Sequence, residues 1–475
     1  MDEPQSISNN TDSRSSLGKN LNFELRPNAS NGLWIMFLIP AALIISAFKH
    51  YVVLTSTYKF LPIFSIGIIW TNIFIINAMK KEDYVKFQQL WFFFPMSFMF
   101  FIFLDSGVLF SLYSGFFCTA LYCKIYLLLL QTFPKSFTLG EAGITSQAFT
   151  ILLYTTLPHF SNSMEEPIVK TIQSSTVIIQ MEYFGILILC AFLYYFKIKS
   201  SISVYFWSFT ILMITFLLPL HIFLRRSPIL WVLSLLIENS STIKIVMYWV
   251  ICCCIATLFI IKKQNITEKA STSERKVFHI LAAAVYIPGL IYACNLLYLG
   301  SGILLGIFFL LEILRKLSVP PLGKILQSSF LNLSDEKDAG NIALTPIYLL
   351  TGFTCPMWIH PAPCDVTDSS FFSFLPLMSG ILSVGIGDTA ASVLGSRYGK
   401  HYYKDSNKTM EGTLASILCQ LLTVFILFQL GYIINMDILL MLRVSVATIV
   451  TSIIEAKTDQ IDNAILPLIM YIILI

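Results

Sequence analysis

Charge is what this chain has least of. Asp, Glu, Lys and Arg make up 12% of its 475 residues, hydrophobic residues make up 56%, and the mean hydropathy is +0.75. A soluble domain is about one-quarter charged, so this composition excludes one. Net charge is only +4, too small for an electrostatic footprint on a polyanion, and no nucleic-acid partner is expected. The apolar runs do not alternate with polar residues, which argues against a β-barrel. Ten cysteines are scattered without the spacing of a zinc site or a disulfide framework, and Cys252-Cys253-Cys254 lies inside an apolar run. They read as buried structural thiols. Residues 1–30 lack the apolar core of a signal peptide. This Ser/Asn-rich stretch reads as a disordered polar tail, with the first membrane segment acting as an uncleaved signal.

What remains is a succession of uncharged runs from residue 32 to the C-terminus. A run of about 20 apolar residues crosses a bilayer, and roughly 13–15 such segments fit the chain. The expected fold is therefore all-α, a polytopic integral membrane helical bundle, because lipid demands internally satisfied backbone. In the first half the segments fall near 33–48, 59–79, 90–112, 114–130, 142–158, 172–196, 202–224 and 243–261, with 227–238 too short to assign. Gly140-Glu141 puts a carboxylate beside an apolar run, either as a functional group or as a helix cap. The charged linker 262–276 then separates an N-terminal membrane region, 31–261, from a C-terminal region, 262–475. Its basic residues favour the cytosol. The uncharged stretch 277–311 is long enough to cross twice, turning at Gly300-Ser301-Gly302. Counting on through 341–360, 369–387, 412–436 and 438–454 returns every polar cluster of this region to one membrane face.

The densest cluster is Gly387-Asp388-Thr389-Ala390-Ala391-Ser392-Val393-Leu394-Gly395-Ser396-Arg397-Tyr398-Gly399-Lys400, closing at Lys408-Thr409-Met410-Glu411-Gly412-Thr413. Cations interleaved with glycines suit a polyphosphate, and Asp388 could hold a metal beside it. Asp388, Ser392 and Gly395 share one helical face; the alternative is a packing face of small residues capped by Asp388. The loop is not a Walker A motif, since one residue is missing between its glycines and His401 follows the lysine. Glu455, Thr458 and Asp462 stand at i, i+3 and i+7, so two carboxylates would share a helical face. They could hold a divalent cation or take a proton from a hydroxyl. Arg275, Lys276 and His279 border a membrane segment; snorkelling is the ordinary explanation of the two cations, and His279 reads as a satisfied core histidine packed in the bundle or as a catalytic group. Glu312 and Arg315 read as a helix ion pair, and Asp335-Glu336-Lys337-Asp338 as a solvated loop or a site.

These blocks resemble the dolichol kinase family, CTP-dependent polyprenol kinases of the endoplasmic reticulum. The resemblance runs over roughly the last 200 residues. It comprises RKVFH at 275–279, LEILR at 311–315, DEKDAG at 335–340, TPIYLLTG at 345–352, GDTAASVLGSRYGK at 387–400, KTMEGT at 408–413 and EAKTDQIDNAILPL at 455–468. The family often carries Trp or Phe before the Glu-Gly of its loop, where this chain has Met410.

The resemblance implies transfer of the γ-phosphate of CTP to dolichol. The products are CDP and dolichyl phosphate, the carrier for N-glycosylation, O-mannosylation and GPI-anchor assembly. It maps the CTP-binding loop onto 395–413, with Gly395, Ser396, Arg397, Gly399, Lys400, Lys408, Thr409, Glu411 and Gly412 as binding residues. Lys400 and Lys408 are expected to touch the phosphates. Asp388 would hold a divalent cation, Mg2+ or Ca2+, with Asp462 as second ligand and Glu455 or Asp462 as base. Dolichol and membrane lipids are the other expected partners, and the site is expected to face the cytosol. The rival readings are a phytol-type kinase, a phosphatidate cytidylyltransferase and a non-catalytic transporter.

Overall fold

The computed structural model describes all residues except 1–22, 51–55, 81–92, 104–106, 166–170, 199, 238, 265–270, 335–337, 339, 362–363, 365–373, 405 and 434–436. Most of the polar tail and of the 335–338 charge run therefore lies outside the described residues. The regular elements among the described residues are all helices, with one isolated antiparallel bridge between Tyr402 and Thr409. Eight helices are long and apolar enough to cross a membrane, and five shorter ones are apolar. This is the all-α polytopic membrane architecture that composition requires.

The chain forms two compact units. The first contains residues 1–154, 336–342 and 459–461. Its helices are α1 (Leu38–Lys49, entered through a 3-10 turn at Leu33–Phe37), α2 (Ser56–Lys80), α3 (Phe94–Phe103), α4 (Val108–Thr132) and the start of α5 (Leu139–Glu165). The expected segment 90–112 is instead divided: α3 ends at Phe103, and Val108 opens a new 25-residue helix. Buried amides and a phenol hydrogen-bond to one another here. Tyr122 Oη donates to Asn72 Oδ1 at 2.7 Å, and the Asn72 and Gln147 amides both donate to the Met36 carbonyl at 2.8 Å. Glu141 caps α5. The Thr138 N–H donates to its Oε2 at 3.0 Å, while the Glu141 N–H donates to Thr138 Oγ1 at 3.2 Å, a reciprocal capping box.

The second unit contains α6 (Thr171–Phe196), α7 (Ser201–Leu224, with a π-helical turn at Met213–Leu217), α8 (Pro228–Ile237), α9 (Ser240–Gln264), α10 (Thr272–Tyr292) and α11 (Cys294–Lys316). It continues through α12 (Leu322–Leu333), α13 (Leu344–Ile359), α14 (Phe374–Leu377), a π-helix at Ile381–Asp388, α15 (Thr389–Tyr398), α16 (Met410–Gln429), α17 (Ile438–Lys457) and α18 (Asp462–Leu474). The π-helix is central, touching α10, α16, α17 and α18.

Three expectations are corrected here. The chain turns at Ala293, not at Gly300-Ser301-Gly302, which lies inside α11. Gly302 serves packing: a Cβ there would meet Ile179 at 2.4 Å. Cys294 and Cys364 form a disulfide, so these two are not free thiols; nothing in their 70-residue separation marks the pair. Finally, Glu455 and Asp462 do not share a helix, because α17 ends at Lys457 and α18 begins at Asp462.

Candidate active site

Asp388 ends the π-helix and is only 4% exposed. Although it precedes α15, its side chain does not cap that helix. It turns instead to α10. Lys276 Nζ donates to Asp388 Oδ2, and His279 Nε2 lies 3.4 Å from the same oxygen. Lys276 and His279 are three apart in the first two turns of α10, hence on one face. Ser271 starts that helix with a capping box: its hydroxyl accepts from the Glu274 N–H, and its own N–H donates to Glu274 Oε2. His279 Nε2 also sits 3.2 Å from Asn463 Oδ1 on α18, while its Nδ1 is buried with no partner, as is Thr389 Oγ1. Burial alone would raise the Asp388 carboxyl. The Lys276 ammonium and the His279 ring outweigh it and hold the group below the usual carboxylate range.

A second pair lies in the same cluster. Lys408 Nζ donates to the Glu455 backbone carbonyl and, at 3.0 Å, to Glu455 Oε1. Burial lowers the Lys408 ammonium, but Glu455, Asp462 and Asp388 together raise it. Lys276 behaves alike: burial opposes its charge, and Asp388, Asp462 and Glu455 restore it. Two lysines thus share the field of three carboxylates. Asp462, the first residue of α18, accepts from the Asn463 N–H at 3.1 Å.

The phosphate-loop residues divide by exposure. Ser396, Arg397 and Lys400 face outward, as do Tyr398, His401 and Tyr402. The glycines are used for packing α15 on α16: a Cβ on Gly395 would lie 2.9 Å from Thr409 Oγ1 and 3.3 Å from the Gly412 Cα. Thr409 is the N-cap of α16, its hydroxyl accepting from the Gly412 N–H at 3.2 Å. Glu411 folds the loop back on itself. It accepts from the His401 N–H at 3.2 Å and meets His401 Nδ1 at 2.6 Å. Tyr402 and Thr409 close the loop with a bridge.

Asp388, Glu455, Asp462 and Lys408 are therefore brought together, and Lys400 stands on the exposed rim of the loop. Lys276, His279 and Asn463 join them, although the sequence reading gave the first two to snorkelling and packing. The available signal was their i, i+3 spacing at a helix start. Glu312 and Arg315 form the expected ion pair, bidentate at 2.6 and 2.8 Å. Glu312 also accepts from the Ala343 N–H, and Arg315 lies over the Phe330 ring.

The family model described as dolichol kinase matches residues 118–422. Dolichol kinase of Mus musculus is 33% identical over 368 residues, spanning 74% of this chain and 68% of the mouse protein. The human enzyme gives 33% over 370 residues with the same coverage, and the dolichol kinase of Schizosaccharomyces pombe 27% over 373 residues, 74% of this chain and 70% of its own. No solved structure matches. The chain belongs to the dolichol kinase family.

Proposed function

We propose that this protein phosphorylates dolichol with the γ-phosphate of CTP at the Lys276–Asp388 and Lys408–Glu455 cluster. The observation that carries the assignment is the pairing itself. Two partly buried ammonium groups converge from α10 and the 399–409 loop on carboxylates at the ends of the π-helix and α17. Phosphoryl transfer needs positioning and charge stabilisation more than covalent chemistry. Incoming phosphate oxygens compete with Asp388 and Glu455 for the two lysines. Arg397, Lys400 and Ser396 meet the nucleotide first, at the exposed rim. Thr409, Gly412 and Glu411 hold the loop closed beneath them, with Gly395 and Gly399 letting its backbone approach.

The family implies a divalent cation with the nucleotide, and the donor set tests that. Among the described residues no three His, Cys, Asp or Glu side chains are grouped to cage a metal. Mg2+ commonly binds through one or two carboxylates plus substrate phosphates, and Asp388 with Asp462 offers that set. The residues thus fit an ion that travels with CTP. When bound, it would neutralise charge on the transferring phosphoryl group. Asp462 is the better candidate to accept the dolichol proton, since Glu455 is occupied by Lys408. His279 and Asn463 orient Asp388 and the head of α18.

The same helices orient the site. Lys276 lies near one end of α10, and the disulfide-bonded Cys294 follows the other, separated by about 25–30 Å of helix. Disulfides persist in oxidising compartments such as the lumen of the endoplasmic reticulum. The basic linker before α10 favours the cytosol. Both support a cluster that faces the cytosol across that membrane.

Purified membranes incubated with γ-labelled CTP and dolichol should yield labelled dolichyl phosphate and CDP. Release of labelled pyrophosphate would instead identify a cytidylyltransferase.

A further inference from the structure

No strong helix breaker marks the boundary between α17 and α18. Residues 455–463 read Glu-Ala-Lys-Thr-Asp-Gln-Ile-Asp-Asn, with neither glycine nor proline. Left alone, the Ile461 N–H could pair with the Lys457 carbonyl and continue the helix. Asp462 would then sit two turns beyond Glu455, about 10.5 Å along one axis.

Residues distant in sequence bind the backbone at this break. The Ile461 N–H donates to Glu141 Oε1 at 3.0 Å. The Asp459 carbonyl accepts from Arg26 Nη2 at 2.9 Å. In a continued helix the Ile461 N–H would donate to the Lys457 carbonyl and the Asp459 carbonyl would accept from the Asn463 N–H; here Glu141 and Arg26 take both groups instead. Arg26 and Glu141 are themselves a buried ion pair at 2.8 Å, with side chains 2% and 3% exposed. Ser30 adds its N–H and hydroxyl to the Asp459 carboxylate, at 2.6 and 2.7 Å. Gln460, fully buried, donates to the Ser30 carbonyl at 2.9 Å and accepts from Thr138 Oγ1 at 2.7 Å. Gly32, in the left-handed region at φ +61°, makes room for that amide: a Cβ there would fall 2.3 Å from Gln460 Oε1.

We propose that Arg26 and Glu141 are positioning residues of the kinase. They clamp the backbone of Asp459–Ile461, force α17 to stop and α18 to start, and so set Asp462 at a helix head apart from Glu455. The inference rests on the reading of Asp462 and Glu455 as site residues. A simple fold staple would bind side chains. This clamp binds the two backbone groups that define the break.

The test measures kcat and KM per folded molecule for Glu141→Gln, Arg26→Gln, Arg26→Lys and Ser30→Ala in the full-length membrane protein, beside Asp462→Ala. A small misplacement of a reacting group is costly, so Glu141→Gln and Arg26→Gln should lower kcat by about tenfold or more, with KM for CTP within about twofold of wild type. Arg26→Lys should recover part of the loss. Ser30→Ala keeps the Ser30 N–H contact and should fold; we expect a kcat deficit of about two- to fivefold. If Ser30→Ala and Glu141→Gln lose only accumulation, with kcat per folded molecule unchanged, the pair is a staple and the proposal falls. If Asp462→Ala retains wild-type kcat, the site reading itself fails. An inactive Asp462→Ala beside a fully active Glu141→Gln removes only the positioning role.

Discussion

Glu141 and Asp388 are both buried carboxylates with a cation beside them, and they are held in opposite ways. Glu141 accepts from two backbone N–H groups as well as from Arg26. Those donors cannot leave without unfolding a helix end. Asp388 makes its contacts through one oxygen, to the side chains of Lys276 and His279, and caps nothing. Its partners can turn to another anion. A carboxylate fixed by backbone belongs to the fold, whereas one held by side chains alone can be exchanged for a ligand. The same contrast separates the Asn72–Tyr122–Gln147 amide network, neutral and inward-facing, from the charged cluster around Asp388.

The sharpest way to break that comparison is Asp388→Asn. The change is nearly isosteric, so membrane accumulation should stay normal while turnover falls more than about a hundredfold. Turnover near wild type would place Asp388 with Glu141 among the structural groups. Next in size is Lys408→Ala. A lost charged hydrogen bond costs roughly 1.5–3 kcal/mol, or about 10- to 150-fold in affinity, and should appear as a raised CTP requirement. A change in dolichol dependence alone would contradict the role. Glu455→Gln should be milder than Asp462→Ala in turnover, because Glu455 already serves Lys408; measuring CTP binding separately checks the order. Lys400→Ala, on the exposed rim, should shift the CTP requirement by only a few-fold, as expected of a solvated charge. Last, cysteines placed at Ser396 and Asn407 should report the orientation of the loop. The background should lack the eight free cysteines but keep Cys294–Cys364. Impermeant reagents should label both positions from the cytosolic side of sealed microsomes, and lumenal labelling would invert the site.

Much of this site could be read from the chain, because its parts are locally dense. Asp388 and Lys408 stand in blocks of polar residues framed by apolar runs, and hydropathy alone sets those frames. What escaped reading depends on distance. Lys276 looks like any interfacial lysine until the π-helix brings Asp388 to it. The break before Asp462 escaped because the residues that bind its backbone, Arg26 and Glu141, lie hundreds of residues away and no strong local breaker marks it. Glycine misled in the opposite direction: Gly300-Ser301-Gly302 has the composition of a turn, yet Gly302 is small because Ile179 packs there.

The pairing of Lys276 with Asp388 also sets an order on how the protein is made. The two residues are 112 positions apart. At about 5–20 residues per second, roughly 6–20 s pass between synthesis of the lysine and of its counter-ion. During that interval α10 must enter the membrane with its ammonium reaching for the headgroups. Snorkelling, the sequence-level explanation of Lys276, thus describes the nascent chain, and the ion pair describes the finished one. The polar end of α10 is withdrawn from the lipid surface only when the π-helix arrives, so the charged centre can be assembled only late in biosynthesis.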